Sequence, residues 1–296
     1  KDARALCEKL LGYMKADDAA INVSAERYGH LRFAANTFTT SGAREDTSVS
    51  VTVWIDRKQG SASTNELDDA SLRAAVEQAE QFARLSPVDP EYLPTLGPQR
   101  YRPVHGYVEA TAGVRPAARA REVDDIVHRC EKEPVIGAGF HQAQGSAAAS
   151  ATKNGNFRYE RSSLASLSVT ARTPDGTGSG YFTRSHFDIS KLDTARIARE
   201  AIRKAVDSRQ PRTLDPGTYP VILEPQAAVD LLVYLSFGFD ARSADEGRSP
   251  FSAPGGKNRV GERIFDERIN VYSDPWHPEL PGSAAAQDGL PAQKLY

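Results

Sequence analysis

The sequence predicts an α+β fold: a duplicated helix/antiparallel-sheet/helix domain, followed by the start of a β-rich C-terminal domain. Three observations predict it. Strand-like stretches alternate strictly, as in Val49, Val51, Val53 and Ile55 against Ser48, Ser50 and Thr52. Amphipathic helical patterns flank these stretches on both sides. The order strand, turn, strand, Leu-Asp, amphipathic helix occurs over 49–83 and again over 167–206, a period of roughly 115–120 residues. Helices covering one face of an antiparallel sheet follow from that grammar.

In chain order, residues 3–15 place Ala3, Leu6, Cys7, Leu10, Leu11 and Met14 at helical spacing. Two extended segments, 20–28 and 31–40, are expected to join at Gly29-His30 as a hairpin. After the alternating strand, Gln59-Gly60 is expected to turn into a further short strand. Asp68 or Asp69 then caps a helix with Leu72, Ala75, Val76, Ala79 and Phe82 on one face, ending before Pro87. Residues 86–106 are rich in Pro and Gly and mark the first break.

The second copy begins with a helix over 115–132 bearing Val123, Ile126, Val127 and Cys130 on one side. Val135 to Thr152 is extended, Asn154-Gly155 is a hairpin signal, and Leu164 to Ala171 alternates. Pro174-Asp175-Gly176 makes a turn, 179–185 a strand, and Asp193 caps a helix with Ile197, Ala198, Ala201, Ile202 and Ala205. The first domain is therefore 1–214, with copies at about 1–86 and 107–210. From 218 to 296 the pattern changes: Val221-Ile222-Leu223 reads as a short buried strand, Ala227 to Phe239 as an enclosed helix, and 268–272 as a strand. This second part is expected to be incomplete and poorly stabilised, whereas 1–214 should fold alone, because a β-rich domain cut short leaves unpaired edges.

Composition narrows the function classes. At 40% hydrophobic and 26% charged, 296 residues can bury a core without disulfides or metals. A net charge of −2 gives no electrostatic case for nucleic acid. The longest greasy stretch, Leu231 to Phe239, falls well short of the ~18–20 residues of a membrane span. The N-terminus leads into an amphipathic pattern rather than a signal peptide, and is expected to lie close to the natural start. Cys7 and Cys130 read as small core residues, so a cytoplasmic location is expected.

Several motifs look chemical and are better explained by structure. Gly176-Thr177-Gly178-Ser179-Gly180 leads into an extended segment, whereas a phosphate loop opens a helix. Pro254-Gly255-Gly256-Lys257 fails the P-loop pattern at Phe251 and Asn258. No Gly-x-Ser-x-Gly elbow is present. His141 is expected to be a satisfied sheet residue, and Glu66, Asp68 and Asp69 serve a helix N-terminus. Trp276, in a proline-rich loop after Asp274-Pro275, either packs onto the domain or anchors an interface.

A wider pattern runs through nearly the whole chain. It comprises Leu31-Arg32-Phe33-Ala34-Ala35-Asn36, the alternating strand, Ala62-Ser63-Thr64-Asn65, and Tyr219-Pro220-Val221-Ile222-Leu223 before the apolar helix. Gly247-Arg248-Ser249-Pro250-Phe251, Gly261-Glu262, Asp274-Pro275 and Asp288-Gly289-Leu290-Pro291 follow in order. This order and spacing resemble the TldD/PmbA family. The resemblance implies an N-terminal α/β domain before a largely β C-terminal domain extending past Tyr296. It also implies two branches. The TldD branch is a metalloprotease whose helix binds zinc through His-Glu-x-x-x-His; the PmbA (TldE) branch lacks those ligands and partners TldD.

Here the corresponding helix reads Glu224-Pro225-Gln226-Ala227-Ala228-Val229-Asp230-Leu231-Leu232, without histidine. The histidines at 30, 105, 128, 141, 186 and 277 are never closer than 13 residues apart. Zinc bound on one helix needs two imidazoles on a common face with a carboxylate nearby. The resemblance thus implies a non-catalytic TldE-like subunit of a TldD–TldE-type complex acting on unfolded peptides, with no catalytic or metal residue of its own. Zinc is expected only in the TldD-like partner, and neither nucleic acid nor membrane as a partner. Ser249, Phe251, Asp274, Trp276, Asp288 and Gly289 are the candidate interface or structural residues. The alternatives are a homodimeric scaffold and a peptidase using other chemistry.

Overall fold

In the computed structural model, which describes residues 2–295, helix α1 (Asp2–Tyr13) opens the chain and buries Cys7 and Leu10. Strands β1 (Asp18–Ala34), β2 (Thr37–Ile55) and β3 (Lys58–Thr64) follow, then helix α2 (Asp69–Leu85). After a largely irregular strap come α3 (Glu109–Ala112), α4 (Pro116–Lys132), β4 (Ile136–Thr152), β5 (Phe157–Arg172), β6 (Ser179–His186) and α5 (Thr194–Asp207). The expected caps form: Asp68 accepts from the backbone N–H of Ala70 and Ser71, and Asp193 from that of Arg196.

The six strands make one antiparallel sheet in the order β3-β2-β1-β4-β5-β6. The two copies meet at their first strands, from Ala20↔Thr152 to Phe33↔Gly139, and repeat outward on either side. Side chains alternate across the sheet, and odd-numbered residues of β1 face the helices. Ala19, Ile21 and Val23 pack with Val49, Val51 and Val53 under α1 and α2. Further along β1, Leu31 and Phe33 join Val123, Ile126, Ile197 and Ala201 under α4 and α5. Each Leu, Ile or Phe buried this way contributes about 1.5–3 kcal/mol. Helices α1, α2, α4 and α5 therefore cover one face, in two pairs lying towards opposite ends of the strands.

Several local expectations change. β1 runs straight through Gly29-His30, and the hairpin turns at Ala35-Asn36, with φ of 50° and 56°. The next turn is Asp56-Arg57, φ 50° and 61°, with Gln59 and Gly60 already in β3. Both are two-residue loops with positive φ, which matches the twist of the flanking strands. Asn36 stabilises its turn by hydrogen bonds to Val135 O (3.0 Å) and from Gly137 N (2.6 Å). Phe82, expected on the buried face of α2, is 45% exposed.

Packing divides the chain into two units: residues up to Pro211 together with Ser273–Leu295, and Arg212–Tyr272. The segment 273–295, read from sequence as part of the second domain, packs with the first. Ser283 Oγ and Ala284 N donate to Glu160 on β5, at 3.0 and 3.1 Å. Tyr101 Oη donates to Gly289 O at 2.7 Å. The other unit holds α6 (Pro225–Ser236), α7 (Ala241–Asp245) and a two-stranded hairpin of β7 (Ser252–Ala253) and β8 (Lys257–Asn258).

Within that unit the expected enclosed helix is α6, which buries no residue, and Ala244 is the only buried hydrophobic among its described residues. Val221-Ile222-Leu223 and 268–272 are not strands, and Ile222 is fully exposed. A strand needs a hydrogen-bonding neighbour and an apolar helix needs a cover; the described residues of this unit supply neither. Limited proteolysis of this chain is expected to cut first within 212–272, because few buried contacts hold that stretch closed. Mass spectrometry of the first products checks this. Early cuts inside the sheet domain, or persistence of 212–272, would be the contrary result.

Candidate functional site

The split in the helix layer leaves the middle of the sheet uncovered, and a cleft of about 510 Å³ lies there. Its floor is set by register. Ala25 and Arg27 on β1 lie opposite Ala147 and Gly145 on β4 and opposite Thr47 and Glu45 on β2. Arg161 on β5 lies beside Ala147. All share the face that carries the core further along the strands. Ala25, Ala147 and Gly145 keep part of the floor low between the charged side chains, and α3 is seated on Gly145, where a Cβ would fall 2.3 Å from that of Ala112. Asn65 and Leu67 form one wall, and Tyr107 with Glu109 another.

Both signs of charge are present. Arg27 Nε donates to Glu45 at 2.7 Å. Arg161 donates to Glu109 at 3.0 Å and lies over the Tyr107 ring, 3.4 Å from its centroid. Tyr107 Oη also donates to Glu109, at 3.0 Å. These bonds from Tyr107 and Arg161 hold the Glu109 carboxyl below its ordinary range. Burial and the bond to Glu109 push Tyr107 up. Ser163, near the floor, is committed: it accepts from Val108 N and donates to Phe187 O at 2.7 Å. The cleft thus carries two ion pairs, Arg27–Glu45 and Arg161–Glu109, and a tyrosine hydroxyl bonded to the second.

Four further titratable groups lie outside the cleft. His141 is fully buried on β4 but only half satisfied, against the expectation: Nε2 lies 2.5 Å from Glu122 Oε2, and Nδ1 has no partner. Cys7 and Cys130 are buried, and desolvation pushes each thiol up to about 11; they stay protonated. In the Gly176 turn, Asp175 accepts from the hydroxyls of Thr173 and Thr177. Gly255 and Gly256, with φ of 77° and 71°, turn the β7–β8 hairpin.

The candidate residues chosen from sequence divide between the two units. Ser249 Oγ donates to Gly238 O at 2.7 Å and accepts from Phe251 N, and the Phe251 ring stacks on Phe239. These two lie in the second unit. Asp274 pairs with Lys294 at 3.1 Å and accepts from Trp276 N. Trp276 is half-buried, with the Arg102 guanidinium 4.5 Å from a ring centroid. Asp288 accepts from Leu290 N, and Gly289 takes φ 83°. Each has a local partner that accounts for it. Sequence reasoning missed the cleft because its residues come from β1, β2, β4, β5 and α3, and only the strand register joins them.

α6, the helix that the family resemblance aligns with the zinc motif, has no histidine. Among the described residues, no group of three or more His, Cys, Asp or Glu is placed to hold a metal. These residues do not fit a zinc ion. No helix of the described residues is long and apolar enough to cross a membrane.

The architecture is thus a duplicated α+β domain with a second unit after it. Three family models match consecutive stretches: PmbA/TldA metallopeptidase domain 1 over 19–83, the central domain over 114–209 and the C-terminal domain over 216–296. The chain belongs to the PmbA/TldD metallopeptidase family. No curated protein matches it. Among solved structures it is similar to TldE from Thermococcus kodakarensis, with a TM-score of 0.82 at 19% identity, covering 100% of this chain and 67% of that one. A Thermotoga maritima protein named for modulation of a DNA gyrase matches with a TM-score of 0.86 at 19% identity, over 98% of this chain and 67% of its own. A similarly named Bacteroides thetaiotaomicron protein gives 0.81 at 16%, over 99% and 68%. At these identities the likeness is one of fold.

Proposed function

We propose that this chain is a non-catalytic, TldE-like subunit of a peptide-cleaving complex, paired with a TldD-like subunit that carries the zinc. The observation that supports this reading is α6: the family resemblance aligns it with the zinc motif, yet residues 225–236 offer no imidazole. Zinc held on such a helix needs paired imidazoles and a carboxylate base, so hydrolysis through this helix has to come from the partner. The substrate in this reading is an unfolded peptide, and the compartment is the cytoplasm, where two buried free thiols are at home.

The test is metal content and cleavage of an unfolded peptide, with the chain alone and mixed with a TldD-like subunit. The expected result is no stoichiometric zinc in the chain alone, co-elution with the partner, and cleavage only in the mixture. Stoichiometric zinc in the chain, or cleavage by the chain alone that survives a strong chelator, overturns the reading. Elution as a homodimer that ignores the partner would point instead to a scaffold.

A further inference from the structure

The sheet has a bare edge beside the cleft. β2 pairs with β3 only from Val49 to Ile55, so its first part, from Thr37 to Ser48, has β1 on one side and no strand on the other. Register fixes which backbone groups look outward. Trp54 O accepts from Asp17 N, just ahead of β1, so even-numbered residues of β2 turn their N–H and C=O groups towards β1 and odd-numbered ones turn them away. Pairing is unbroken from Asp18↔Trp54 to Arg32↔Thr40, which keeps that parity. Ser41, Ala43, Glu45 and Thr47 therefore point N–H and C=O outward, and these groups have no partner among the described residues.

The duplicated unit carries the same edge with a segment lying on it. β5, the counterpart of β2, pairs with β6 only from Ala165 to Arg172. Pairing to the outer strand stops at Val49 in one copy and at Ala165 in the other, so the next outward residues, Thr47 and Ser163, are equivalent. Ser163 N donates to Gly106 O at 2.9 Å, and Val108 N donates to Ser163 Oγ at 2.9 Å. Val108 is extended, with φ −128° and ψ 120°. The strap thus engages the edge of the second copy, and the edge of the first is left open. Charge there is one-sided. Arg44 is bonded to Glu26 and Glu45 to Arg27. Asp46 on the edge and Glu66 beside it are exposed, and neither forms an ion pair among the described residues.

We propose that an extended basic peptide adds to the sheet as a further strand along Ser41–Thr47. This rests on the reading that the complex handles unfolded peptides, and it gives this subunit a hold on them. The edge spans about 20 Å, room for about seven residues of strand. Main-chain bonds to the outward groups supply affinity for any sequence. Alternate side chains of the added strand turn to the cleft side, where Thr47, Asn65 and Leu67 line the wall. Lysines meet Asp46 and Glu66. A second copy of this chain is the poorer occupant, since it brings the same two carboxylates, and charged side chains are how sheet edges are kept from pairing with themselves.

Hydrogen exchange and fluorescence anisotropy on the whole chain test this. The probe is a fluorescein-labelled peptide of alternating threonine and lysine. When it binds, amide exchange is expected to slow over 41–47, where the outward N–H groups gain acceptors. Ala43→Pro removes one outward donor and spares the bonds to β1, as proline does on an edge strand; it is expected to weaken the peptide about tenfold. Should Ala43→Pro fail to fold, the double variant Asp46→Asn, Glu66→Gln reads the charges: about a threefold or greater loss for the lysine peptide, and none for a threonine–serine peptide.

Unchanged exchange over 41–47 with the peptide bound overturns the proposal, as does undiminished binding to folded Ala43→Pro. A threonine–glutamate peptide that binds as tightly as the lysine peptide overturns the choice of a basic strand. Slow exchange over 41–47 that rises with protein concentration and needs no peptide would assign the edge to a second copy, and equally overturns it. No protease enters these assays. Peptide binding at this edge without partner-dependent cleavage would therefore sink the subunit reading alone, and cleavage in the mixture with 41–47 unprotected would sink this inference alone.

Discussion

Gly60→Val is expected to destabilise the sheet domain by about 3 kcal/mol or more, a large fraction of what a domain has. Gly60 lies on edge strand β3, and a Cβ there would fall 2.1 Å from Ala79 O and 2.3 Å from Ala83 N. Both are backbone atoms of α2, so relief requires lifting the helix off the sheet. The duplication makes the same demand at the other edge. On β6 a Cβ at Gly180 would fall 2.1 Å from Ala201 O and 2.5 Å from Ala205 N of α5. Gly180→Val should cost a similar amount, and the two effects should add because the sites sit on opposite edges of the sheet. Gly12→Ala is the control: nothing lies within 4 Å of its Cβ position, and a helical Gly→Ala change stabilises by about 0.5–1 kcal/mol. Urea midpoints measure all three. A wild-type midpoint in Gly60→Val would mean that the helix and strand do not approach this closely.

Those glycines show how the sequence is legible and where it misleads. Alternation, the Asp68 and Asp193 caps, the Asn154-Gly155 turn and the repeated order were readable, because each is a local rule that the tertiary structure leaves intact. Gly29 was misread as a turn because glycine more often punctuates a strand than makes room on it. Its role depends on Arg119, ninety residues away, and a helical arginine reads as solvent-facing. The true turn at Ala35-Asn36 contains no glycine, so composition pointed elsewhere. The strands expected at 221–223 and 268–272 failed for a different reason. Alternation states which side chains want burial, whereas pairing requires a neighbouring strand that periodicity cannot supply. The cleft was invisible for a third reason: it is the gap left when two copies of one unit meet at their first strands.

One carboxylate ties the middle of the strap over residues 86–108 to the sheet, and Asp18→Ala is expected to cost about 3 kcal/mol. Asp18, at the start of β1, is 4% exposed. It accepts from Ala19 N (2.8 Å), Tyr92 Oη (3.0 Å), Thr95 N (2.6 Å) and Thr95 Oγ1 (2.5 Å). Removing the carboxylate strands several donors at once, and each donor left buried without an acceptor costs about 1–3 kcal/mol, less whatever water recovers. The pH dependence gives an independent check. Burial pushes the Asp18 pKa up, but the hydrogen bonds from Thr95, Ala19 and Tyr92 outweigh it and leave the folded value below the ordinary one. A lowered folded pKa means that the unfolded chain takes up the proton first. The contribution is therefore complete above the unfolded value of about 4 and disappears as the pH falls through the folded value. Urea melts of the wild type and of Asp18→Asn across that range isolate this group, since the other carboxylates are common to both. The stability gap between them should be widest near neutrality and narrow below about pH 4. A gap that stays constant with pH would mean that the carboxylate bonds are equally strong in both protonation states, and that the strap is held by packing of Tyr92 and Thr95 instead.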